Sequence, residues 1–282
     1  MSQPKLWAGC RVRIDYFLVY DPIAEQWLRA LNPSAVSLSD CARPRQPLSD
    51  CCRQMETIIL EALRQGMNVC AVFSGHPSVG VDVAHHMLQK AGDEGYPVRM
   101  VPAVSAIDCL FADLGVEPAD GFQVFEAETL MMNDYRIDKQ SGLIILQPGT
   151  MGITRVHVKP RNPRLRIIGL QKFLMNVYQA GHEVVVYEAA MLPIAGPRIE
   201  STTLARLIDV ELTPISTLYI PPQARYRASG RRTPEGPDEG RSFALTRRFA
   251  APSPRGRGTS RKDDVRRAIA DSQRVPDSDQ PT

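Results

Sequence analysis

The chain has 282 residues, of which 43% are hydrophobic and 23% charged, an ordinary balance for a globular protein of one large or two modest domains. The net charge of +3 does not by itself indicate a nucleic-acid partner. No apolar run approaches the ~18 residues that span a bilayer, and residues 1–13 lack the apolar core of a signal peptide. We therefore expect a cytoplasmic protein with no membrane partner.

The six cysteines and five histidines do not form a metal-binding pattern. No C-x-x-C pair occurs, so a structural zinc site is not expected. Cys70 and Cys109 lie inside apolar segments and are expected to be small core residues. His85 and His86 are neighbours on a predicted helix, so their side chains point roughly 100° apart and do not chelate jointly. Only His76 is a candidate functional histidine.

The stretch over residues 69–80 is the one around which the chain is organised. Five apolar or small residues precede the run Ser-Gly-His-Pro at 74–77, which predicts a strand buried on both faces and a tight loop, followed by a helix over residues 81–90. Parallel sheets bind ligands beyond the carboxyl ends of their strands, where Gly75 allows close backbone approach and Pro77 stiffens the loop. The stretch predicts a binding loop, although by itself it fits a connecting turn equally well.

The N-terminal half alternates predicted strands with predicted helices. The strands are expected over residues 13–20, 35–38, 69–73, 95–101 and 122–127, and the helices over residues 23–30, 50–65, 81–90 and 106–114. Ser105 and Asp108 suit the start of the last helix, as its cap and its first-turn acid. This alternation predicts a parallel sheet with helices on both faces.

The region after residue 128 predicts a second α/β unit. We expect an irregular link over residues 129–141, strands over 143–147, 183–188 and 217–220, a helix over 170–180 and a short helix over 201–207. Residues 164–168 fit either an edge strand or the start of a helix. Because these strands arrive without a helix each time, we expect a mixed sheet.

The composition changes after Pro222. Apolar clusters disappear and Arg, Gly, Pro, Ser and Asp dominate, so residues 223–282 are predicted to form a disordered tail. The arginines suggest a nucleic-acid-binding arm, but acids are interleaved and aromatics are few, which favours a solvated tail and no nucleic-acid partner. The predicted domains are therefore 1–127, 128–222 and the tail 223–282.

An ordered set of motifs carries a family resemblance. The motifs are Ser-Gly-His-Pro at 74–77, residues 99–115 with Val-Pro-Ala-Val-Ser-Ala, Phe-Glu-Ala at 125–127, Gln147, Ala-Ala-Met-Leu-Pro at 189–193, and Ser-Thr-Leu-Tyr-Ile-Pro-Pro at 216–222. Together they resemble the tetrapyrrole (corrin/porphyrin) methylase superfamily, and within it most of all the borosin-type peptide backbone α-N-methyltransferases. The likeness covers roughly residues 14–222.

The resemblance implies a two-domain, class III methyltransferase-like α/β fold with a parallel Rossmann-like first domain and a mixed-sheet second domain. It also implies a homodimer and S-adenosylmethionine in the cleft between the domains. The positions that match the family's cofactor contacts are Gly75, His76, Pro77, Val79, Ser105 and Ala106 in the first domain, and Gln147, Ala190, Met191 and Thr217 in the second. For Ser105 a helix cap is an equal alternative, and for Gln147 and Thr217 ordinary strand-end polarity.

Two departures from the family bear on activity. The peptide-methylating branch has a Tyr and Arg cluster where this chain has residues 39–53, which contain no tyrosine, so no catalytic residue is carried over. The family also begins with a strand and a Gly-rich turn that this sequence lacks, so we expect either a start further upstream or an inactive, truncated paralogue that serves as a binding or dimerisation partner. The tail carries no apolar target repeat, so an active protein would methylate a separate peptide or small molecule.

Overall fold

The computed structural model describes residues 15–157, 163–191 and 195–223. The predicted tail from residue 224 and the motif residues Leu192 and Pro193 lie outside the described residues. None of the helices in the described ranges is both long and apolar enough to cross a bilayer.

Helices and strands follow one another through most of the described ranges. The helices are α1 (Pro22–Leu31), α2 (Leu48–Arg64), α3 (Asp82–Asp93), α4 (Ala106–Leu114), α5 (Ala127–Met132) and α6 (Pro163–Met175). The strands are β1 (Tyr16–Leu18), β2 (Val36–Ser37), β3 (Ala71–Phe73), β4 (Phe122–Glu126), β5 (Gly142–Leu146), β6 (Glu183–Glu188), β7 (Arg198–Thr203) and β8 (Thr217–Ile220). The strands form two sheets.

The first sheet is parallel, as predicted, with strand order β2-β1-β3. Successive side chains of a strand point to opposite faces, and β1 follows this rule. Tyr16 and Leu18 pack against α2 and α3, whereas the fully buried Phe17 packs on the other face against Leu28 of α1. Helices therefore cover both faces of this sheet.

The predicted strand over residues 95–101 is wrong. The structure has no strand between β3 and β4 in this fully described region, and Val98, Val101 and Val104 are 42%, 45% and 65% exposed. A strand exists only where a neighbour supplies hydrogen bonds, and the apolar character of a segment does not show whether such a neighbour is present.

Burial of β3 on both faces was also expected, and it too is wrong. All three residues of β3 are only half-buried. The strand order explains the difference, because β3 lies at the edge of its sheet and pairs with β1 alone among the described strands. An edge strand has a neighbour on one side only, so a larger fraction of it is accessible.

The second sheet is mixed, as predicted, with strand order β4-β5-β8-β6-β7. Strands β4 and β5 are parallel, and the other neighbours are antiparallel. Strand β4 was expected in the N-terminal half, but it pairs with β5 through the register Phe122↔Gly142 to Glu126↔Leu146. The sheet therefore begins earlier in the chain than residue 128, while the domain limits themselves stay a prediction.

The two faces of the second sheet pack against different helices. Leu143 and Ile145 of β5 join a buried cluster with α5 and α6. Ile144, between them, joins another cluster with Leu110 of α4. Burial of these apolar side chains stabilises the fold by about 25 cal/mol per Å² removed from water. Helix α4 leads out of the first half of the chain, so its packing ties that half to the second sheet.

Two local predictions fail between residues 127 and 209, and one open alternative is resolved. Helix α5 stands where an irregular link was expected, and the Glu126 carboxylate caps it by accepting from the N–H groups of Glu128 and Thr129. The predicted short helix over 201–207 is instead the end of β7 followed by a 3-10 helix, Leu204–Asp209. The open alternative at residues 164–168 is a helix, because α6 begins at Pro163.

A buried carboxylate joins α2 to α3. Glu56 is 2% exposed and lies 2.7 Å from Nδ1 of His86, and it also accepts a hydrogen bond from Lys90. Burial alone would raise the pKa of Glu56, but the hydrogen bonds from Lys90 and His86 outweigh it, and the pKa falls below its ordinary value. The ionised carboxylate therefore stabilises the folded state.

Replacement of Glu56 should show over which pH range its carboxylate stabilises the folded state. Since folding lowers the pKa of Glu56, its contribution is complete above the unfolded value of about 4.3 and disappears as the pH falls through the folded value. We expect Glu56→Gln to lower the free energy of unfolding by about 1–3 kcal/mol at pH 7, and by progressively less below about pH 4. Urea unfolding at several pH values measures this difference. Glu61→Gln, at an exposed position of α2, is the control, and an equal loss there would contradict the assignment.

Candidate functional site

The loop that follows β3, residues 74–80, is held by contacts within itself and to β1. The N–H of Ser74 donates to the carbonyl of Leu18 at 3.1 Å, so the loop starts beside the carboxyl end of β1. The side chains of His76 and Ser78 are hydrogen-bonded, with Nδ1 and Oγ 2.9 Å apart. Gly75 has φ +73, a conformation that L side chains rarely adopt, and it is exposed. We call residues 74–80 the first loop.

The start of α4 is organised by a capping box. The hydroxyl of Ser105 accepts from the N–H of Asp108 at 3.3 Å, and the Asp108 carboxylate accepts from the N–H of Ser105 at 2.7 Å. These hydrogen bonds hold the pKa of Asp108 below its usual range, and the charge of nearby His76 acts in the same direction. The cap expected as one alternative for Ser105 is present, so its side chain is engaged within the helix.

The first loop lies against the start of α4. A Cβ built on Gly75 would lie 3.8 Å from the carbonyl oxygen of Val104, which is the residue before the cap. Ala106 is the first residue of α4, where the N–H groups of the first turn have no acceptor within the helix. The structure therefore brings Gly75 and His76 together with Ser105 and Ala106.

The second group of predicted positions lies at one edge of the mixed sheet. Thr217 is opposite Leu146 of β5 on one side and opposite Tyr187 of β6 on the other. Because β8 is antiparallel to both strands, its first residue lies beside the last residue of β5 and the last but one of β6. Gln147, Ala190, Met191 and Thr217 consequently share this edge. Their exposure differs, since Thr217 is 3% exposed and Met191 is 52% exposed.

Gln147 connects the two groups. A Cβ on Gly80, the last residue of the first loop, would lie 3.0 Å from Nε2 of Gln147. Gln147 itself has φ +57, an uncommon conformation for a residue other than glycine, and its carbonyl accepts from the Thr150 hydroxyl at 2.9 Å. Contacts therefore connect Gly75 to Thr217: the first loop leads from Gly75 to Gly80, Gly80 lies beside Gln147, and the end of β5 pairs with Thr217.

A second connection between the halves involves residues 45–48, within the segment 39–53 where the peptide-methylating branch has its Tyr and Arg cluster. The N–H of Arg45 donates to the carbonyl of Val156 at 2.9 Å, and that of Leu48 to Thr154 at 3.0 Å. Arg45 has φ +65, and its own carbonyl accepts from the Arg155 guanidinium at 2.8 Å. Arg53 pairs with Asp50 on the same helix. The backbone of Arg45 and the side chain of Arg53 are thus engaged, whereas Arg45 itself is exposed.

Sequence reasoning missed two features of the site. Gly149 lies in the 3-10 helix after β5, and a Cβ there would come within 2.0 Å of the carbonyl oxygen of Thr213. Glu188, the last residue of β6, accepts hydrogen bonds from Arg198, Thr213 and Ser216. The Pro-Gly pair after a predicted strand was a signal for the first feature, but nothing local indicated the second.

Two concavities lie away from the first loop and from the start of α4. A groove of about 530 Å³ follows β7, lined among others by Glu200, Thr202, Arg206 and Asp209, and a pocket of about 200 Å³ borders Gly149. Neither is lined by the first loop or by the start of α4. In residues 15–157, 163–191 and 195–223 no group of three or more His, Cys, Asp or Glu side chains could hold a metal ion.

The fold and the site define an α/β protein in which the strand-end loops of two sheets, one parallel and one mixed, converge on small and polar residues. The model of the family "Tetrapyrrole (Corrin/Porphyrin) Methylases" matches residues 13–207. The chain belongs to this family, and the predicted recognition and fold class are confirmed.

Three relatives are named as methyltransferases joined to peptide precursors. The gymnopeptides precursor of Gymnopus fusipes is 36% identical over 214 residues, which are 74% of this chain and 50% of the relative. The omphalotin A precursor of Omphalotus olearius is 35% identical over 216 residues, 74% of this chain and 51% of the relative. A type III borosin precursor of Anomoporia bombycina is 35% identical, with 74% of this chain and 25% of the relative covered. The chain spans about half the length, or less, of these relatives.

The close approach at Gly149 can be tested by adding one methyl group. We expect Gly149→Ala to force the loop after β5 away from Thr213 and to cost about 1–3 kcal/mol, as overpacking does elsewhere. Thermal and urea unfolding measure the loss. Gly181→Ala is the control, because nothing lies within 4 Å of a Cβ at Gly181 and its φ is not in the left-handed region. Equal stability of the two variants would contradict the packing described here.

Proposed function

We propose that this protein is an S-adenosylmethionine-dependent methyltransferase whose acceptor is a backbone amide of a peptide supplied by another chain. Family membership and the relatives, whose names combine a methyltransferase with a peptide precursor, support the reaction class and the acceptor. The proposal places the cofactor between the first loop and the edge of the mixed sheet. We also propose a homodimer, as the resemblance implies, and a cytoplasmic location, as expected from the sequence.

The observation that carries the proposal is the convergence at Gln147. The first loop approaches the start of α4 through Gly75 and Val104, and it approaches the mixed sheet through Gly80 and Gln147. In sheet proteins of this kind, ligands bind beyond the carboxyl ends of parallel strands. The first loop begins at the end of β3, in the parallel sheet, and Gln147 directly follows β5 in the mixed sheet.

The residues present fit an adenosyl ligand. The absence of a Cβ atom at Gly75 leaves room for a ligand to lie against the backbone of the first loop. Backbone N–H groups at Ala106 can donate to a polar ligand atom. From the mixed sheet, the Gln147 amide and the segment at Ala190 can contribute hydrogen-bonding groups. His76 and Pro77 shape the loop, and we propose that Val79, Met191 and Thr217 complete the contact surface.

When bound, S-adenosylmethionine supplies a methyl group on a sulfonium, which is already a good electrophile. The task of this chain is then to hold the acceptor nitrogen in line with that methyl group, since proximity and orientation can supply most of the rate enhancement. An amide nitrogen must also lose its proton, and stabilisation of the charge on its carbonyl oxygen would assist that loss. We assign no residue to that step, because Arg53 is paired with Asp50 and residues 39–53 contain no tyrosine.

The alternative function, an inactive binding or dimerisation partner, finds no support in the relatives, which are named as methyltransferases. It would differ from the proposed function in a direct measurement. A partner protein would bind no S-adenosyl ligand, or would bind it without transferring a methyl group.

Cofactor binding is tested with S-adenosylhomocysteine and a matched pair of variants. Gly75→Ala and Gly95→Ala both place alanine at a positive φ, +73 and +84, and so carry similar backbone strain. Only Gly75 lies in the first loop. We expect the wild type and Gly95→Ala to bind in calorimetry with similar Kd values, and Gly75→Ala to bind at least about tenfold more weakly because its Cβ intrudes on the ligand. Absence of binding to the folded wild type would overturn the proposal.

Methyl transfer is tested with methyl-labelled S-adenosylmethionine and synthetic peptides that copy the precursor region of the Omphalotus relative. We expect mass increments of one methyl group on backbone nitrogens, located by fragmentation. Label on the protein or on a side chain, with none on the peptide backbone, would contradict the proposed acceptor while leaving the methyltransferase class in place.

A further inference from the structure

One carboxylate oxygen accepts hydrogen bonds from residues near several strand ends of the mixed sheet. Oε1 of Glu188 accepts from the Ser216 hydroxyl at 2.6 Å, from the Thr213 hydroxyl at 2.8 Å and from the Arg198 guanidinium at 2.9 Å. The partners come from the loop before β8 and from the first residue of β7. The Glu188 side chain is 14% exposed, so these hydrogen bonds are formed largely away from water.

The loop before β8 is also held by its own contacts. The N–H of Thr213 donates to Ser216 Oγ at 2.8 Å, and the N–H of Ser216 donates to the Thr213 carbonyl at 3.1 Å. A Cβ built on Gly149 would lie only 2.0 Å from the oxygen of this same carbonyl. Glu188 is thereby linked, through Thr213, to the loop that follows β5.

The segments at residues 189–191 and 213–217, which Glu188 continues into or contacts, carry proposed ligand positions, and the loop after β5 is linked to them through Thr213. Ala190 and Met191 follow Glu188 directly along the chain, and Thr217 follows Ser216. Gln147 lies two residues before Gly149. A shift of the Glu188 carboxylate would therefore move the backbone at positions contributed by three different strands.

The charge on Glu188 is maintained by its partners. Burial would raise the pKa of this carboxyl, but the hydrogen bonds from Ser216, Thr213 and Arg198 outweigh burial, and the pKa lies below its ordinary value. The Arg198 guanidinium also pairs with Glu200 on β7, with Nη2 and Oε2 2.6 Å apart. Among the described residues, the ion pairs around Glu188 thus involve the Arg198 guanidinium and, through it, the Glu200 carboxylate.

We propose that Glu188 is a positioning residue for the S-adenosyl ligand: it fixes residues 189–191 and 213–217 at the geometry that binding requires. This inference rests on the proposed function, since it assumes that these segments contact the ligand. Preorganisation raises affinity because the ordering cost is met during folding and not during binding. Glu188 acts through the backbone of its neighbours.

The experiment compares Glu188→Ala, Glu188→Gln and Glu183→Ala in the full chain, with S-adenosylhomocysteine as the probe in calorimetry. All three hydrogen bonds reach the single atom Oε1, and glutamine retains an oxygen at that position. We expect Glu188→Ala to raise Kd at least about tenfold and Glu188→Gln to raise it by about threefold or less. Glu183, exposed at the opposite end of β6, is the matched control, and its alanine variant should bind as the wild type does.

Hydrogen exchange on the ligand-free protein supplies a second measurement. We expect faster exchange at residues 189–191 and 213–217 in Glu188→Ala, with no change in these segments for Glu183→Ala. If Glu188→Ala does not fold, Thr213→Val and Ser216→Ala replace it, because each removes a hydroxyl that donates to Glu188 at little change of volume; Ser216→Ala also removes the acceptor of the Thr213 N–H. Their effects on Kd should be less than additive, since they act through one carboxylate.

The outcomes separate this inference from the proposed function. Unchanged affinity of folded Glu188→Ala, or of the folded Thr213→Val and Ser216→Ala pair, overturns the inference and leaves the methyltransferase proposal intact. A glutamine variant as weak as the alanine variant overturns the assignment of the role to the hydrogen bonds. A folded wild type that binds no S-adenosylhomocysteine overturns the proposed function and, with it, the positioning role.

Discussion

The antiparallel register of β5, β8 and β6 is the constraint on which the candidate site depends. Because Thr217 stands opposite Leu146 and Tyr187, three strands end or begin on one line, and the segments that leave them are neighbours in space although 70 residues separate the outermost of them. A shift of one residue in that register would exchange the two faces of β8, which pack against different helices. The packing of the core therefore also fixes the relative positions of the strand ends that form the candidate site.

The elements that were predictable from the sequence are those whose own residues determine them. Helix α4 has the predicted bounds because Ser105 and Asp108 form a local cap, and β6 has them because four of its six residues form a buried apolar run. The first loop was recognisable because the turn residues Ser-Gly-His-Pro follow an apolar run directly. In each case the determining contacts lie within a few residues along the chain.

The failures arise from partners that are distant in sequence. Residues 95–101 have the composition of a strand but lack a paired neighbour, and β7 is a strand because β6 supplies its hydrogen bonds, although its sequence Arg-Ile-Glu-Ser-Thr-Thr contains a single large apolar residue. Glu188 looked like an ordinary strand terminus, since Thr213 and Ser216 follow it by 25 and 28 residues. Pattern and propensity do not reveal such contacts, because these depend on the tertiary arrangement.

The edge position of β3 has a consequence for the energetics of ligand capture. The first loop is attached to a half-buried strand whose three residues pair with β1 alone among the described strands, so the anchor of the loop is among the weaker parts of its sheet. Local opening of this edge would displace Gly75, and any ligand held against Gly75 would oppose the opening by mass action. Occupancy of the site and order at this edge would then be two readouts of one equilibrium, so that firmer pairing of β3 would favour retention of the ligand.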